Sequence, residues 1–328
     1  LVKVCFFMKD YVLIDKSAIY KIGLNSTGSL TLMVGGNDVN KLSIPLTKHK
    51  CHRFSADIDE KGEIHIAAVI MDTLTYIKYA NQKTSTVHLM HLPQNFSITS
   101  VIVNAEKQLR LNYCVKSKEG SAIIEYTMQG ENWQGKNIYT AHEDMKILYV
   151  KKNKNECYAV KKIDNSYMLI NAYESETELF SSNFEIKDVQ GVFEGVVFKA
   201  GANVYHNQTE FALGQGVYAL DGKRVLVKDD QNLREYIIDN GIRFSGNLQM
   251  PRASKEYVLC RSNQDKKILL SEPFPYITFE PERTMNGGLQ QEVYMQQRTL
   301  FQMQAEIKSL KARIKRLEDE QKFLVKNR

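Results

Sequence analysis

Short apolar and aromatic runs, most of them in alternation, dominate the first 280 residues. They include Tyr11–Ile14, Leu30–Val34, Ile64–Ile70, Leu74–Tyr79, Val101–Asn104, Leu109–Val115, Ala122–Tyr126, Ile147–Val150, Gly195–Phe198, Val225–Val227, Glu235–Ile238, Tyr257–Leu259 and Ile268–Leu270. Each has the length of a strand and is rich in β-branched or aromatic residues. Turn chemistry separates them: Gly35-Gly36-Asn37, Glu60-Lys61-Gly62, Asp221-Gly222 and Asp239-Asn240-Gly241. No alternation of strand and helix patterns appears, which excludes a doubly wound sheet.

A repeat underlies the strands. Phe54–Asp59, Ile64–Ala68, Leu74–Tyr79 and Thr86–His91 read as four consecutive strands, and the unit returns about 45 residues later. On that spacing Asp59 falls on Asn104, Ile64 on Leu109, Ile66 on Leu111 and Ala68 on Tyr113. Pro45 and Pro93 fall at the expected unit boundaries. One four-stranded unit cannot cover both of its faces, but units packed face to face around an axis can. The expected fold is therefore all-β, a six- or seven-bladed β-propeller over residues 1–282, with a pair of β-sandwiches as the rival. The runs Val2–Phe7 and Tyr276–Phe279 are placed to share the closing blade.

The pattern then changes period. Pro273, Pro275 and Pro281 end the β region, residues 283–288 with Gly287-Gly288 read as a hinge, and residues 289–328 follow a heptad. Val293, Leu300, Ile307 and Ile314 form one apolar column; Leu289, Met303, Leu310, Leu317 and Leu324 form the other. The seam is narrow and flanked by polar residues, the mark of a coiled coil rather than of a helix lying back on its own domain. Ile at a with Leu at d favours a parallel dimer, and Gln296 and Gln321 in the seam leave a trimer open. Glu306 with Lys311, and Arg313 with Glu318, supply complementary inter-helix ion pairs.

Charge sharpens that division. The net charge is +6, and from residue 284 onward nine Lys or Arg stand against five Asp or Glu, so +4 belongs to the tail. The basic residues lie within the heptads instead of preceding them, which argues against a nucleic-acid zipper. No apolar run is long enough to span a bilayer. The start lacks the pattern of a signal peptide, although Leu1 is not a Met and upstream sequence stays open. Cys5, Cys51, Cys114, Cys157 and Cys260 are scattered singly, which predicts reduced, buried thiols and a cytoplasmic or otherwise reducing compartment.

Candidate chemistry is thin. There is no phosphate-binding glycine motif, and no cofactor is expected. His49, Cys51 and His52 form one ligand-rich cluster and His88 with His91 another, but strand geometry points positions three apart to opposite faces, so no metal site is expected. The three Asn-x-Ser/Thr motifs at Asn25, Asn95 and Asn207 are of the kind that occurs by chance. Ser55-Ala-Asp57-Ile-Asp59-Glu-Lys-Gly62, with the run that follows to Tyr79, resembles the repeat turns of sialidase-like (BNR-type) bacterial propellers. It departs from their Asp-box in the position of Gly62 and in lacking a following Trp. The resemblance implies that these turns are structural and that catalysis would need three Arg and a Tyr-Glu pair. Arg53, Arg110, Arg224, Arg234, Arg243, Arg252, Arg261 and Arg283 are sparse. Glu125-Tyr126 and Glu235-Tyr236 are adjacent and so face apart. No catalytic residue is expected.

The sequence thus predicts a non-enzymatic, oligomeric structural or interaction protein, with a propeller head on a coiled-coil tail and an unidentified protein or glycan partner. The alternative is a multivalent glycan-binding propeller, although Trp133 is the single Trp and does not repeat. A degenerate sialidase-like glycosidase is third. Usage rich in Lys, Asn and Ile resembles that of low-GC bacteria, where a spore-surface or phage-particle component would fit.

Overall fold

A computed structural model describes residues 11–15, 18–36, 39–105, 108–130, 132–151, 156–173, 176–229, 232–248, 256–262, 267–272 and 277–278. All of these are strands, turns or links, and all lie in the compact unit Leu1–Thr278. The heptad segment lies outside the described residues, and so do Val2–Phe7.

The strands form antiparallel meanders. The first contains β1 (Tyr11–Asp15), β2 (Ala18–Leu24), β3 (Ser29–Gly36) and the first half of β4 (Val39–Ile58). The second contains the rest of β4 from Cys51, then β5 (Ile64–Ile70), β6 (Thr73–Ala80) and β7 (Lys83–His91). Four more follow: β8 (Ser97–Ala105), β9 (Leu109–Lys116), β10 (Ser121–Gln129) and β11 (Asn132–Ala141); β12 (Asp144–Lys151), β13 (Glu156–Ile163), β14 (Ser166–Asn171) and β15 (Thr177–Ser182); β16 (Ile186–Val192), β17 (Gly195–Ala200), β18 (Asn203–His206) and β19 (Thr209–Leu213); β20 (Gly216–Ala219), β21 (Arg224–Lys228), β22 (Leu233–Ile238) and β23 (Ile242–Leu248). A last meander holds β24 (Glu256–Ser262), β25 (Lys267–Glu272) and β26 (Ile277–Thr278). These are six four-stranded blades and a seventh with three strands among the described residues.

Hydrophobic cores lie between blades. Leu13, Ile22, Ile58 and Ile66 join blades 1 and 2; Ala67, Leu74, Val103 and Leu111 join 2 and 3; Ile123, Met145 and Ile147 join 3 and 4. Leu169 with Val196, and Val197 with Val217, continue the series to blade 6. Because neighbours cover both faces, the second strand of a blade is apolar almost throughout: Ile64 to Val69 is buried at every position. The seventh blade lies beside the first, β24 pairing in parallel with β1 at Leu13–Arg261 and Ile14–Ser262. That pairing sets the seventh blade against the first, and the fold is a β-propeller.

Two details differ from expectation. Pro45 marks no boundary. It sits inside β4, opposite Thr31 in blade 1, and the strand passes into blade 2 only near Cys51. Blade 1's outer strand and blade 2's inner strand are one continuous segment, and Pro45 is tolerated because the edge asks no donor of it. The repeat is also out of step on the first strand. Ile58 pairs with Ile64 and Ala105 with Leu109, so Asp57, not Asp59, is the counterpart of Asn104. The blade 3 turn is two residues shorter, which a constant offset cannot register.

Antiparallel order fixes which turns share a face. First-to-second and third-to-fourth turns emerge on one side, second-to-third turns and inter-blade links on the other. Contacts agree: Phe193 N–H donates to Gly222 O at 2.6 Å on the first face, and Lys116 meets Asp144 at 2.6 Å on the second.

Candidate functional site

The innermost strands line the axis, where a propeller's central chemistry would reside, and several of their polar side chains are engaged with the neighbouring blade. Ser55 Oγ accepts the Val103 N–H at 3.1 Å and Asp57 Oδ2 accepts the Ala105 N–H at 2.7 Å, both across the seam from blade 2 to blade 3. At the next seam Ser100 Oγ accepts the Ile147 N–H at 2.7 Å, and Thr99 Oγ1 donates to Met145 O at 2.8 Å. Gln190 spans blades 5 and 6, donating to Val217 O at 2.9 Å and accepting from Ala219 N–H at 2.8 Å. Each bond satisfies a backbone group that no strand partner reaches. Asp57, 3% exposed, also takes the Arg261 guanidinium from blade 7. Burial pushes the Asp57 carboxyl up, and Arg261 with the Ala105 and Ile58 N–H groups pulls it back.

A second polar group sits just beyond, on the β4–β5 turn. Asp59 Oδ1 accepts the N–H groups of Lys61 at 2.9 Å and Glu63 at 2.8 Å, and Asp59 N–H donates to Glu63 O at 3.0 Å. Gly62 closes the turn with φ +80°, and a Cβ there would come within 2.7 Å of Asp15 Oδ2 from blade 1. His65, 6% exposed, points back at Asp59: its Nε2 is 3.4 Å from Asp59 Oδ2 and makes no hydrogen bond. Its Nδ1 is 2.7 Å from Tyr76 Oη. Lys78 Nζ holds Glu63 Oε2 at 2.5 Å. Burial lowers the His65 pKa against the opposing pull of Asp59, and burial raises that of Tyr76, so both are neutral at neutral pH. One donor atom each from Asp59, Glu63 and His65 lies within 4.8 Å of the others.

Sequence reasoning passed over this group because it sought His and Cys close together in sequence. The available signal was a His inside the apolar run Ile64–Ile70, preceded by two carboxylates four residues apart across a glycine turn.

The residues singled out in sequence are dispersed. His49 and His52 are exposed, and Cys51 is buried in the blade 1–2 core with its thiol pushed up to about 11 by burial. Cys114, likewise at about 11, and Cys157, raised further by burial, are buried and free. His88 and His91 are exposed and contact Thr75 and Thr73 respectively. Glu125 accepts from Asn112 at 3.3 Å while Tyr126 stacks on Tyr113, the opposed facing expected of strand neighbours. Glu235 is buried, and Tyr236 packs between Phe211 and Phe244. Trp133 is partly buried and packs in a T-shaped contact with Tyr76 between blades 2 and 3. Arg53 donates to Ile98 O, Arg110 lies 4.0 Å from Glu125, and Arg224 pairs with Asp221, so these do not converge into a clamp. Asn207 Nδ2 donates to Glu194 O at 2.9 Å, so that amide of the third sequon is occupied. The heptad positions Leu289 to Leu324 and the pairs Glu306–Lys311 and Arg313–Glu318 lie outside the described residues.

No family model and no curated protein matches the chain. Among solved structures it is similar to puromycin hydrolase at TM-score 0.55 and 8% identity, covering 80% of this chain and 50% of that one. It also resembles the six-bladed fungal lectin of Aleuria aurantia (TM-score 0.45, 13% identity, 75% and 97% coverage). The WD40 β-propeller domain of Doa1 gives TM-score 0.44 at 13% identity, with 84% and 95% coverage. The first likeness is one of fold alone, and the two weaker ones add nothing to it.

Proposed function

We propose that this chain is a non-catalytic binding propeller whose heads are multiplied by the C-terminal heptad segment. The observation that carries the reading is the engagement of Ser55, Asp57, Ser100 and Gln190 in inter-blade backbone bonds. Among the described residues, Ser55, Asp57 and Ser100, which could otherwise serve as acid, base or nucleophile on the axial strands, are engaged in holding neighbouring blades together. The buried thiols are likewise held as inert neutral groups by their raised pKa values, which also suits a reducing compartment. A rigid ring presents its turns in fixed geometry, and linking such heads turns weak contacts into avidity. The partner on the head is a protein surface in this reading.

Light scattering of the full chain tests the oligomeric half. A dimer is expected, falling to a monomer in the Leu310→Asp, Ile314→Asp double variant; a monomeric native chain overturns it. Turnover of fluorogenic sialosides or other glycosides, lost in Asp57→Asn, would overturn the non-catalytic half. Specific signals on a glycan array would move the partner from protein to sugar.

A further inference from the structure

We propose that Asp59, Glu63 and His65 form a binding site for a divalent transition-metal cation of the Zn²⁺ type, built on the first turn of blade 2.

Three acidic or imidazole groups near one another are common and mean little by themselves. The decisive feature is His65. It is buried, its Nε2 has no hydrogen-bond partner, and that atom faces the Asp59 carboxylate at 3.4 Å. A buried nitrogen with no protein hydrogen-bond partner beside a carboxylate costs stability. The separation is too long for a good N–H···O bond. It matches the edge of a tetrahedron around zinc, where ligands about 2.0–2.1 Å from the metal stand about 3.4 Å apart. A cation between Nε2 and Oδ2 converts an unfavourable contact into two coordinate bonds.

The surroundings have the organisation of an outer shell. Tyr76 Oη at 2.7 Å from Nδ1 can accept the proton there, which leaves the Nε2 lone pair directed at the turn. Tyr76 is itself fixed against Trp133, with ring centroids 5.0 Å apart. Lys78 fixes one oxygen of Glu63, and a carboxylate retains acceptor capacity on its other oxygen. Asp59 Oδ1 is committed to the turn N–H groups while Oδ2 faces His65. Two carboxylates, Asp59 and Glu63, stand there against one lysine, Lys78. Asp15, pressed against Gly62, adds a carboxylate from blade 1. One nitrogen and two oxygen donors suit Zn²⁺, Co²⁺ or Mn²⁺ better than Ca²⁺ or Mg²⁺. Three protein ligands leave a fourth position open to water or to a partner's side chain.

The test is titration of the full chain with Zn²⁺ by calorimetry and with Co²⁺ by visible absorption. The expected result is one equivalent per chain, a tetrahedral Co²⁺ spectrum and a rise in Tm with metal. His65→Gln and Asp59→Asn should each weaken binding at least tenfold; Asn keeps the Oδ1 acceptor of the turn, and circular dichroism verifies folding. Tyr76→Phe, which removes the outer-shell hydroxyl, should weaken it by about tenfold. His49→Ala with His52→Ala should leave binding intact. Absence of binding at micromolar metal, or binding unchanged in folded His65→Gln and Asp59→Asn, overturns the proposal.

Discussion

In blades 2, 3 and 6 the inner two strands and the outermost strand share one backbone geometry and carry different loads. β5 is buried from Ile64 to Val69, whereas β7, two strands outward in the same sheet, is exposed from Lys83 through His88. β11 and β23 repeat the exposed pattern. The inner strands hold the ring through apolar cores and through side chains that cross the seams. The outer strands complete hydrogen-bond ladders and contribute fewer buried side chains, Ile138 of β11 and Ala212 of β19 among them. Stability in this fold is therefore a matter of distance from the axis more than of strand membership.

Substitutions along that gradient can break the comparison. The largest loss is expected for Asp57→Ala, which removes the buried carboxylate that the Arg261 guanidinium and the Ala105 N–H both engage; urea unfolding should show about 3–5 kcal/mol. A loss below about 1 kcal/mol would mean that the seam bonds do not hold the ring. Ile66→Ala, in a core between blades, should cost about 3 kcal/mol in the same measurement. Next comes pH. The Cys51 and Cys114 thiols are pushed up to about 11 when folded, so above their ordinary value near 9 only the unfolded chain releases their protons. Stability should fall as pH rises through that window, by about 1.4 kcal/mol per unit for each thiol. The same thiols should react with a thiol reagent at neutral pH only after denaturation. Ser100→Ala should cost about 1–2 kcal/mol, the penalty of one unsatisfied buried N–H at Ile147. Val87→Ala on the exposed β7 should stay within about 0.5 kcal/mol. A cost at Val87 matching that at Ile66 would erase the gradient.

The same gradient set what could be read from the sequence. Inner strands announce themselves because neighbouring blades bury both faces: the run Ile64–Ile70 is β5 to the residue. Outer strands β11, β15, β19 and β23 went unrecognised because solvent on their exposed side removes the apolar pattern. The passage of β4 through two blades was hidden because Pro45 has the look of a boundary. The seam bonds were hidden for another reason. Ser55 to Val103 and Ser100 to Ile147 join residues 48 and 47 apart, and nothing local marks such a partner. Asp59 and Glu63 were visible as turn residues, but their convergence with His65 depends on the hairpin register that pairs Asp57 with His65.

The ion pair between Asp57 and Arg261 joins positions 204 residues apart. At synthesis rates of about 5–20 residues per second, Asp57 emerges about 10–40 s before its partner exists. Throughout that interval the first blades have cores on one side and an uncovered edge on the other. A nascent chain of this kind is most vulnerable to mispairing with a neighbour on the same message, and the last strands to appear are the ones that end the exposure.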